Sequence, residues 1–537
     1  MRPPEHTAGP DDHSGADAGA TTGAGGGRSR RLRRAGSALA LAVLLAAAPA
    51  AGAAEAARAV VPQQAAVLPA QVPPGLEDFY AQQLVWTACG AAAECALVRV
   101  PRDYENPAAG EIELAVTRVP STDGAAEQGS LLVNFGGPGG SGTASIEPWS
   151  AGLDPRVRAG YDIVGFDPRG VGSSTAVECV DDATMDAMRA DYDDPDTPEG
   201  LAEVLAEAER FATACAAGTG PLLGEVDTVS AARDLDIVRA ALGESELDYL
   251  GYSYGTLLGA TYADLFPERT GRFVLDAAMD PSLDGAGLTL DQAAGFERSL
   301  RVYVESCLPL DGCPFEGTAD EGLAEIEALL RQIETQPLPT ADGRPLTVDD
   351  AVSGLIKPLY DPRIWWFLTQ SLALATEHGD GTGLMRLADI AYGRGPDGTY
   401  SNAYEANNAI DCLDHPEDAE PAAMAALDEQ LQEASPTLGD WFSHGEATCG
   451  AWPHEPVREP APIDAAGAGP ILVVGGTGDP ATPYAWSQAL AAQLEGGLLL
   501  TRVGEGHGSY LSGNKCIDET ITTYLLEGVL PAEERIC

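Results

Sequence analysis

Short apolar runs alternate with longer amphipathic stretches over the first half of this chain, and then the alternation stops. Cys95 to Pro101 and Glu111 to Val119 read as two strands of a hairpin, joined by the turn Asp103-Tyr104-Glu105-Asn106-Pro107. Gly129 to Phe135, Tyr161 to Phe166 and the run Leu247 to Leu250 are short and mostly apolar, as strands covered on both faces are. Between them, 184–217 is acidic with helical spacing and predicts an outer helix, and Thr228 to Leu242 is amphipathic. Arg272 to Leu275 is a further short strand, ending at Asp276. From about Pro281 to Pro462 helical spacing takes over, including 322–335 and 364–378, with no buried β run. Strand character returns at Pro470 to Val474 and Leu498 to Val503. The expected class is therefore α/β: a mostly parallel central sheet, helices on both faces, and a helical lid inserted between two strands. Trp365-Trp366, within the helical stretch, reads as core packing.

One junction carries candidate chemistry. Leu247-Asp248-Tyr249-Leu250 runs into Gly251-Tyr252-Ser253-Tyr254-Gly255, and helical spacing follows. Gly-x-Ser-x-Gly between a strand and a helix is the nucleophile elbow of α/β-hydrolases. A serine in so tight a turn leaves no room for side chains two positions away, which glycine accommodates. The backbone N–H after Ser253 then opens a helix and can meet an oxyanion.

A serine nucleophile needs a base, and the base needs a carboxylate to orient it. In this fold they follow in the order Ser, Asp or Glu, His. After Ser253, only His507 follows a late strand, within Gly504-Glu505-Gly506-His507-Gly508. The acid should end the strand before it, where Ile471-Leu472-Val473-Val474 leads to Gly478-Asp479-Pro480, so Asp479 is assigned. The loop Gly136-Gly137-Pro138-Gly139-Gly140-Ser141-Gly142 follows an early strand and lacks the Gly-Lys-Ser/Thr of a phosphate loop. The expected oxyanion donors are the N–H groups of Tyr254 and Gly137. Asp167 and Arg169 are read as a structural ion pair or turn.

Composition narrows the setting. Among 537 residues, 31 Lys and Arg face 82 Asp and Glu, a net charge of −51 that argues against nucleic acid and anionic membranes as partners. Arg28, Arg30, Arg31, Arg33 and Arg34 precede the apolar run Ala38 to Ala48, and Ala51-Gly52-Ala53 supplies small residues. This predicts a signal peptide over 1–53, cleaved near Ala53 and too short to be a membrane span. Ser29-Arg30-Arg31 leaves twin-arginine and general export both open. Residues 54–75 read as a leader or propeptide, and the mature chain as secreted and free of the membrane. Ten cysteines suit disulfides in an oxidising compartment. Sequence does not settle their connectivity; the expectation is sequential pairing, because each consecutive pair falls in one local segment. No Cys-x-x-Cys occurs and no histidine stands at ligand spacing, so neither a metal nor any other cofactor is expected.

Taken together, several motifs resemble the exported tripeptidyl aminopeptidases of actinobacteria, in the proline-iminopeptidase-type branch of α/β-hydrolase serine peptidases. They are Val100-Pro101-Arg102-Asp103-Tyr104, Asn134-Phe135-Gly136-Gly137-Pro138-Gly139-Gly140, Asp167-Pro168-Arg169-Gly170, Ala231-Ala232-Arg233-Asp234-Leu235-Asp236, the elbow, Gly478-Asp479-Pro480-Ala481-Thr482-Pro483 and Gly506-His507-Gly508. Proline iminopeptidases usually carry His before the Gly-Gly-Pro-Gly; Asn134-Phe135 here favour the tripeptidyl branch. The resemblance implies an exopeptidase acting on peptides with a free N-terminus, with Ser253, Asp479 and His507 as triad. It also implies lid carboxylates that hold the substrate ammonium, for which Asp411 and Asp414 are candidates. The expected organisation is a core over 76–282, the lid over 283–462 and the rest of the core over 463–537. An esterase of the same fold, using the same machinery, is the alternative, and a catalytically idle binding protein a more remote one. Oligomeric state is open.

Overall fold

A computed structural model describes residues 72–195 and 197–537. The signal peptide and all but the last four residues of the leader lie outside the described residues.

Among the described residues, ten strands form one sheet. They are β1 (Thr87–Ala88), β2 (Glu94–Pro101), β3 (Glu111–Val119), β4 (Gly129–Asn134), β5 (Tyr161–Phe166), β6 (Leu247–Tyr252), β7 (Thr270–Asp276), β8 (Ile471–Gly478), β9 (Gly497–Glu505) and β10 (Arg535–Ile536). Their order is β1-β2-β3-β5-β4-β6-β7-β8-β9-β10. The first four positions pair antiparallel, and every pairing from β5 to β10 is parallel.

The apolar runs are continuous because both faces are covered. Leu131, Val133, Ile163, Leu250 and Val474 point into one core, which Ile517 and Ile521 of helix Lys515–Glu527 help fill. Leu132, Val164, Tyr249, Phe273 and Val473 point into the other, against helices Thr228–Leu242 and Tyr254–Leu265. Strand alternation thus sorts neighbouring apolar residues to opposite faces. The short strands β1 and β10 had no counterpart in the sequence reading. Both are two exposed residues without an apolar pattern, beside the disulfides Cys89–Cys95 and Cys516–Cys537.

The outer helix expected over 184–217 is two helices, Asp182–Ala190 and Pro198–Thr219. Pro195 and Pro198 break the run: Pro198 opens the second helix at a position that needs no N–H, with Thr197 as its cap. Arg169 does form a buried ion pair, with Asp234 at 2.7 Å, while Asp167 accepts from Ser141, Thr143 and Ser173.

Between β7 and β8 the chain leaves the sheet and returns almost two hundred residues later. This excursion is helical and has its own core, including Leu300, Val304, Ile326, Leu330, Leu355 and Leu372. Trp365 packs edge-on against Tyr303, but Trp366 is 61% exposed, contrary to the core role expected for the pair. Helix Trp365–His378 turns its Leu368, Ser371, Leu372, Ala375 face inward, and position 366 falls on the other side. Five disulfides form in sequential order, Cys89–Cys95, Cys179–Cys215, Cys307–Cys313, Cys412–Cys449 and Cys516–Cys537.

Candidate active site

Ser253 stands between β6 and helix Tyr254–Leu265 with φ 54° and ψ −125°, a region that residues with a side chain avoid. The surroundings hold it there. Its N–H donates to the Asp276 carbonyl at 3.1 Å, and its own carbonyl accepts from Thr256 N and Oγ1 at 2.8 and 2.5 Å. The flanking glycines are required by contact: a Cβ on Gly251 would lie 2.3 Å from the Gly255 carbonyl oxygen, and one on Gly255 2.7 Å from Asn134 Oδ1.

Asp479 follows β8 and is fully buried at its side chain. Its Oδ1 accepts from the N–H groups of Ala481 and Thr482 at 3.1 and 2.9 Å. His507, after β9, places Nδ1 at 2.9 and 3.0 Å from the two carboxylate oxygens. With Nδ1 turned to the carboxylate, Nε2 is the ring nitrogen left for other partners. The His507 N–H donates to the Tyr360 carbonyl at 2.8 Å, and the Tyr360 ring meets the imidazole edge-on at 5.2 Å. Asp479 and His507 are thus joined directly. Among the described residues no hydrogen bond joins Ser253 to His507; catalytic hydrogen bonds are often open until substrate is seated. The elbow and the histidine turn do approach closely, since a Cβ on Gly508 would stand 3.7 Å from the Tyr252 ring.

The glycine loop after β4 packs on the elbow. A Cβ on Gly136 would be 2.6 Å from the Tyr252 carbonyl oxygen and 2.9 Å from Ser253 Cβ. The Gly136 N–H is occupied by Asn134 Oδ1 at 2.8 Å, and Gly140 N–H by the Gly136 carbonyl at 3.1 Å. The N–H groups of Gly137 and Tyr254 have no acceptor among the described residues. Two cavities among the described residues, of about 850 and 510 Å³, are lined by none of Ser253, Asp479 and His507.

Helix Ala403–Asp414, from the excursion, lies across the glycine loop. The Ala403 carbonyl abuts Gly139, and Asn407 Nδ2 donates to the Pro138 carbonyl at 3.3 Å. Asp411 is one turn beyond Asn407 on the same face. Its carboxylate has no hydrogen-bond partner among the described residues. It keeps some accessible area yet lies deep in protein. That burial, with the charges of Asp414 and Glu417, pushes it up to about 8. Glu417 is pushed up to about 7 by burial, Glu446 and Asp284, and Glu446 Oε2 is buried without a partner. Asp414 differs. Its oxygens accept Thr228 N at 2.9 Å and Thr228 Oγ1 at 2.5 Å, and Thr228 Oγ1 in turn meets the Tyr254 hydroxyl at 2.6 Å. Asp414 is therefore committed to Thr228, at the start of helix Thr228–Leu242, and of the two candidates only Asp411 is free to meet a ligand.

Residues 129–323 match a family model described as the alpha/beta hydrolase fold, and 435–537 one described as TAP-like protein. Serine protease Hip1 of Mycobacterium tuberculosis is 36% identical over 86% of this chain and 92% of that protein. Tripeptidyl aminopeptidase of Streptomyces coelicolor is 32% identical over 84% of this chain and 85% of that protein. The chain belongs to the actinobacterial tripeptidyl aminopeptidase family. Carboxylesterase B of Mycobacterium tuberculosis is also similar, 38% identical over 85% of this chain and 90% of that protein. The chain is a serine peptidase of the α/β-hydrolase fold, and peptides are its substrate class.

Sequence reading of this family member missed Tyr360 and Asp276. Tyr360 acts through its main-chain carbonyl, which no side-chain pattern announces. Asp276 stood out only as the end of a strand.

Proposed function

We propose that the chain is a secreted exopeptidase that removes short peptides, tripeptides by family analogy, from free N-termini through an acyl-enzyme on Ser253. The observation that carries this is the Asp479–His507 hydrogen bond at 2.9 Å beside a strained serine flanked by two unclaimed N–H groups. His507 takes the Ser253 proton as Oγ attacks the peptide carbonyl. The N–H groups of Tyr254 and Gly137 receive the oxyanion, and removing one such donor costs about 3 kcal/mol in comparable enzymes. His507 then protonates the leaving amine, and water resolves the ester. No cofactor enters this chemistry.

The helical excursion acts as the lid in this reading and limits access to chain ends. Asp411 holds the substrate ammonium, because it is the unpartnered carboxylate on the helix that crosses the glycine loop. Five disulfides support an oxidising, extracellular setting, and among the described residues no helix is long and apolar enough to cross a membrane.

Mass spectrometry of products from a hexapeptide with a free amine tests the reading, with the N-acetylated hexapeptide as control. Release of an N-terminal tripeptide only from the free-amine form supports it; equal cleavage of both removes the amine requirement. The 38% identity to a protein named carboxylesterase favours a second reading, ester hydrolysis by the same triad. Higher kcat/KM on short acyl esters than on any free-amine peptide would select it.

A further inference from the structure

Asp276 ends β7, between the strand that leads to Ser253 and the strand that leads to Asp479, and it is fully buried. Its carboxylate does not bond to His507. It accepts the N–H of Ser509 at 3.0 and 2.9 Å and the N–H of Tyr510 at 2.7 Å, the second and third residues after His507. Its carbonyl accepts the N–H of Ser253 at 3.1 Å. The next residue, Ala277, has φ 58° and donates to the Val474 carbonyl of β8 at 2.9 Å. One short segment is therefore bonded to all three chain stretches that carry the triad. Remove the carboxylate and two buried N–H groups lose their acceptor, which a buried turn does not tolerate in place.

We infer that Asp276 is a positioning residue of the peptidase: its carboxylate clamps the turn after His507 to the nucleophile elbow and sets the reach from the imidazole to Ser253 Oγ. The inference rests on the triad reading above. It differs from the role of Asp479, which orients the ring; Asp276 fixes the main chain on which the ring is mounted. A displacement of about 1 Å at such a mount costs about 100-fold in rate.

The groups facing Asp276 set its charge. From β9, Arg502 donates to Ser509 Oγ at 3.3 Å and to the carbonyls of Glu505 and Gly506 at 2.9 and 2.5 Å, so it braces the same turn. From the β8 loop comes the negative charge of Asp479, and from β6 the Tyr252 ring, whose hydroxyl is buried without a partner. The Ser509 and Tyr510 N–H groups and Arg502 favour the carboxylate, while burial and Asp479 oppose it, and the balance lies at about 6. Asp276 is ionised at neutral pH and protonates in mild acid, where a carboxylic acid can no longer accept fully from both N–H groups.

The test uses fluorophosphonate labelling of Ser253 in the full secreted chain, because this needs the triad but no amine site. Asp276→Asn should label about 10–100-fold more slowly. The acidic limb of its rate profile should lose the step at about 6, because asparagine does not titrate there. Labelling within twofold of the parent enzyme, with that step retained, overturns the inference. If Asp276→Asn does not fold, Asp276→Glu decides, because it keeps the charge and moves the acceptor away from the Ser509 and Tyr510 N–H groups. Labelling slowed by about fivefold or more supports the clamp, and labelling within twofold of the parent enzyme overturns it. Ser253→Ala separates the two readings: labelling that persists in it refutes the triad, whereas normal labelling in Asp276→Asn alone refutes only the clamp.

Discussion

Ser253 is held at φ 54° by bonds that each come from a different element, from β7 through Asp276 and from its own helix through Thr256. Such strain persists only where the surroundings over-determine it. Ser253→Ala should lower kcat on a free-amine peptide nitroanilide by about 10⁶-fold and abolish fluorophosphonate labelling, and Asp479→Asn should lower kcat by about 10⁴-fold. A loss below tenfold in either would remove that residue from the mechanism. Asp411 permits a sharper test. Its carboxyl, raised to about 8 by burial and by Asp414 and Glu417, is protonated and useless for an ammonium in acid. Free-amine substrates should therefore show a KM that falls as pH rises toward 8, an ionisation that N-acylated esters do not show. Asp411→Asn should raise KM for free-amine peptides about 10–100-fold, the loss of a charge-assisted contact of about 1.5–3 kcal/mol, and leave ester hydrolysis within twofold. The residues of the proposed triad could be picked out in the sequence because glycines flank Ser253 and His507 and mark loops at strand ends. Asp411 and Asp414 were not separable there, since both are acids on one helix. What separates them is Thr228, which is 186 residues away and occupies only Asp414.

The strands were readable for a physical reason: β4 to β8 are covered on both faces, so burial imposes an apolar run on the sequence. The two-residue edges β1 and β10 bury nothing and left no trace. The helix Ala403–Asp414 was equally silent about its task. It is fixed at one end by Ala403 and Asn407 on the glycine loop, at the other by Asp414 on Thr228, and by the disulfide Cys412–Cys449 to helix Glu446–Gly450. An element with three anchors presents Asp411 at one place. Cutting one anchor should loosen that placement more than it disturbs the triad, which belongs to other elements. The pair Cys412→Ser with Cys449→Ser should cost about 2–4 kcal/mol of stability, for a closed loop of this length. It should also raise KM for free-amine peptides with little change in fluorophosphonate labelling. Equal losses in both readouts would mean that the helix supports the triad itself.

At the scale of the whole molecule, excess acid is also built into the interior. Burial raises Asp411 to about 8, Asp414 and Glu417 to about 7 and Asp276 to about 6, all far above the 3.9–4.3 of unfolded Asp and Glu. A folded state with raised carboxyl pKa values binds more protons than the unfolded chain between those limits. Stability must therefore fall as pH climbs through 6, 7 and 8. His415 opposes this: pushed down to about 4 by burial and by Arg458, it binds fewer protons folded than unfolded, which makes stability rise with pH. Its effect fades above about 6.5, as the unfolded imidazole loses its proton. Between pH 6.5 and 8.5 these raised acids lose their protons, and the net charge of −51 adds self-repulsion of the same sign. Calorimetry across that interval should show Tm falling with pH, on the order of 2–4 °C for each kcal/mol lost. The Asp411→Asn, Glu417→Gln double variant, which keeps the fold's shape but removes two of these titrating groups, should flatten the slope. A Tm that is constant or rises from pH 6.5 to 8.5 would mean that these carboxylates are ionised at no penalty, and the surroundings of Asp411 would then be open to bulk water.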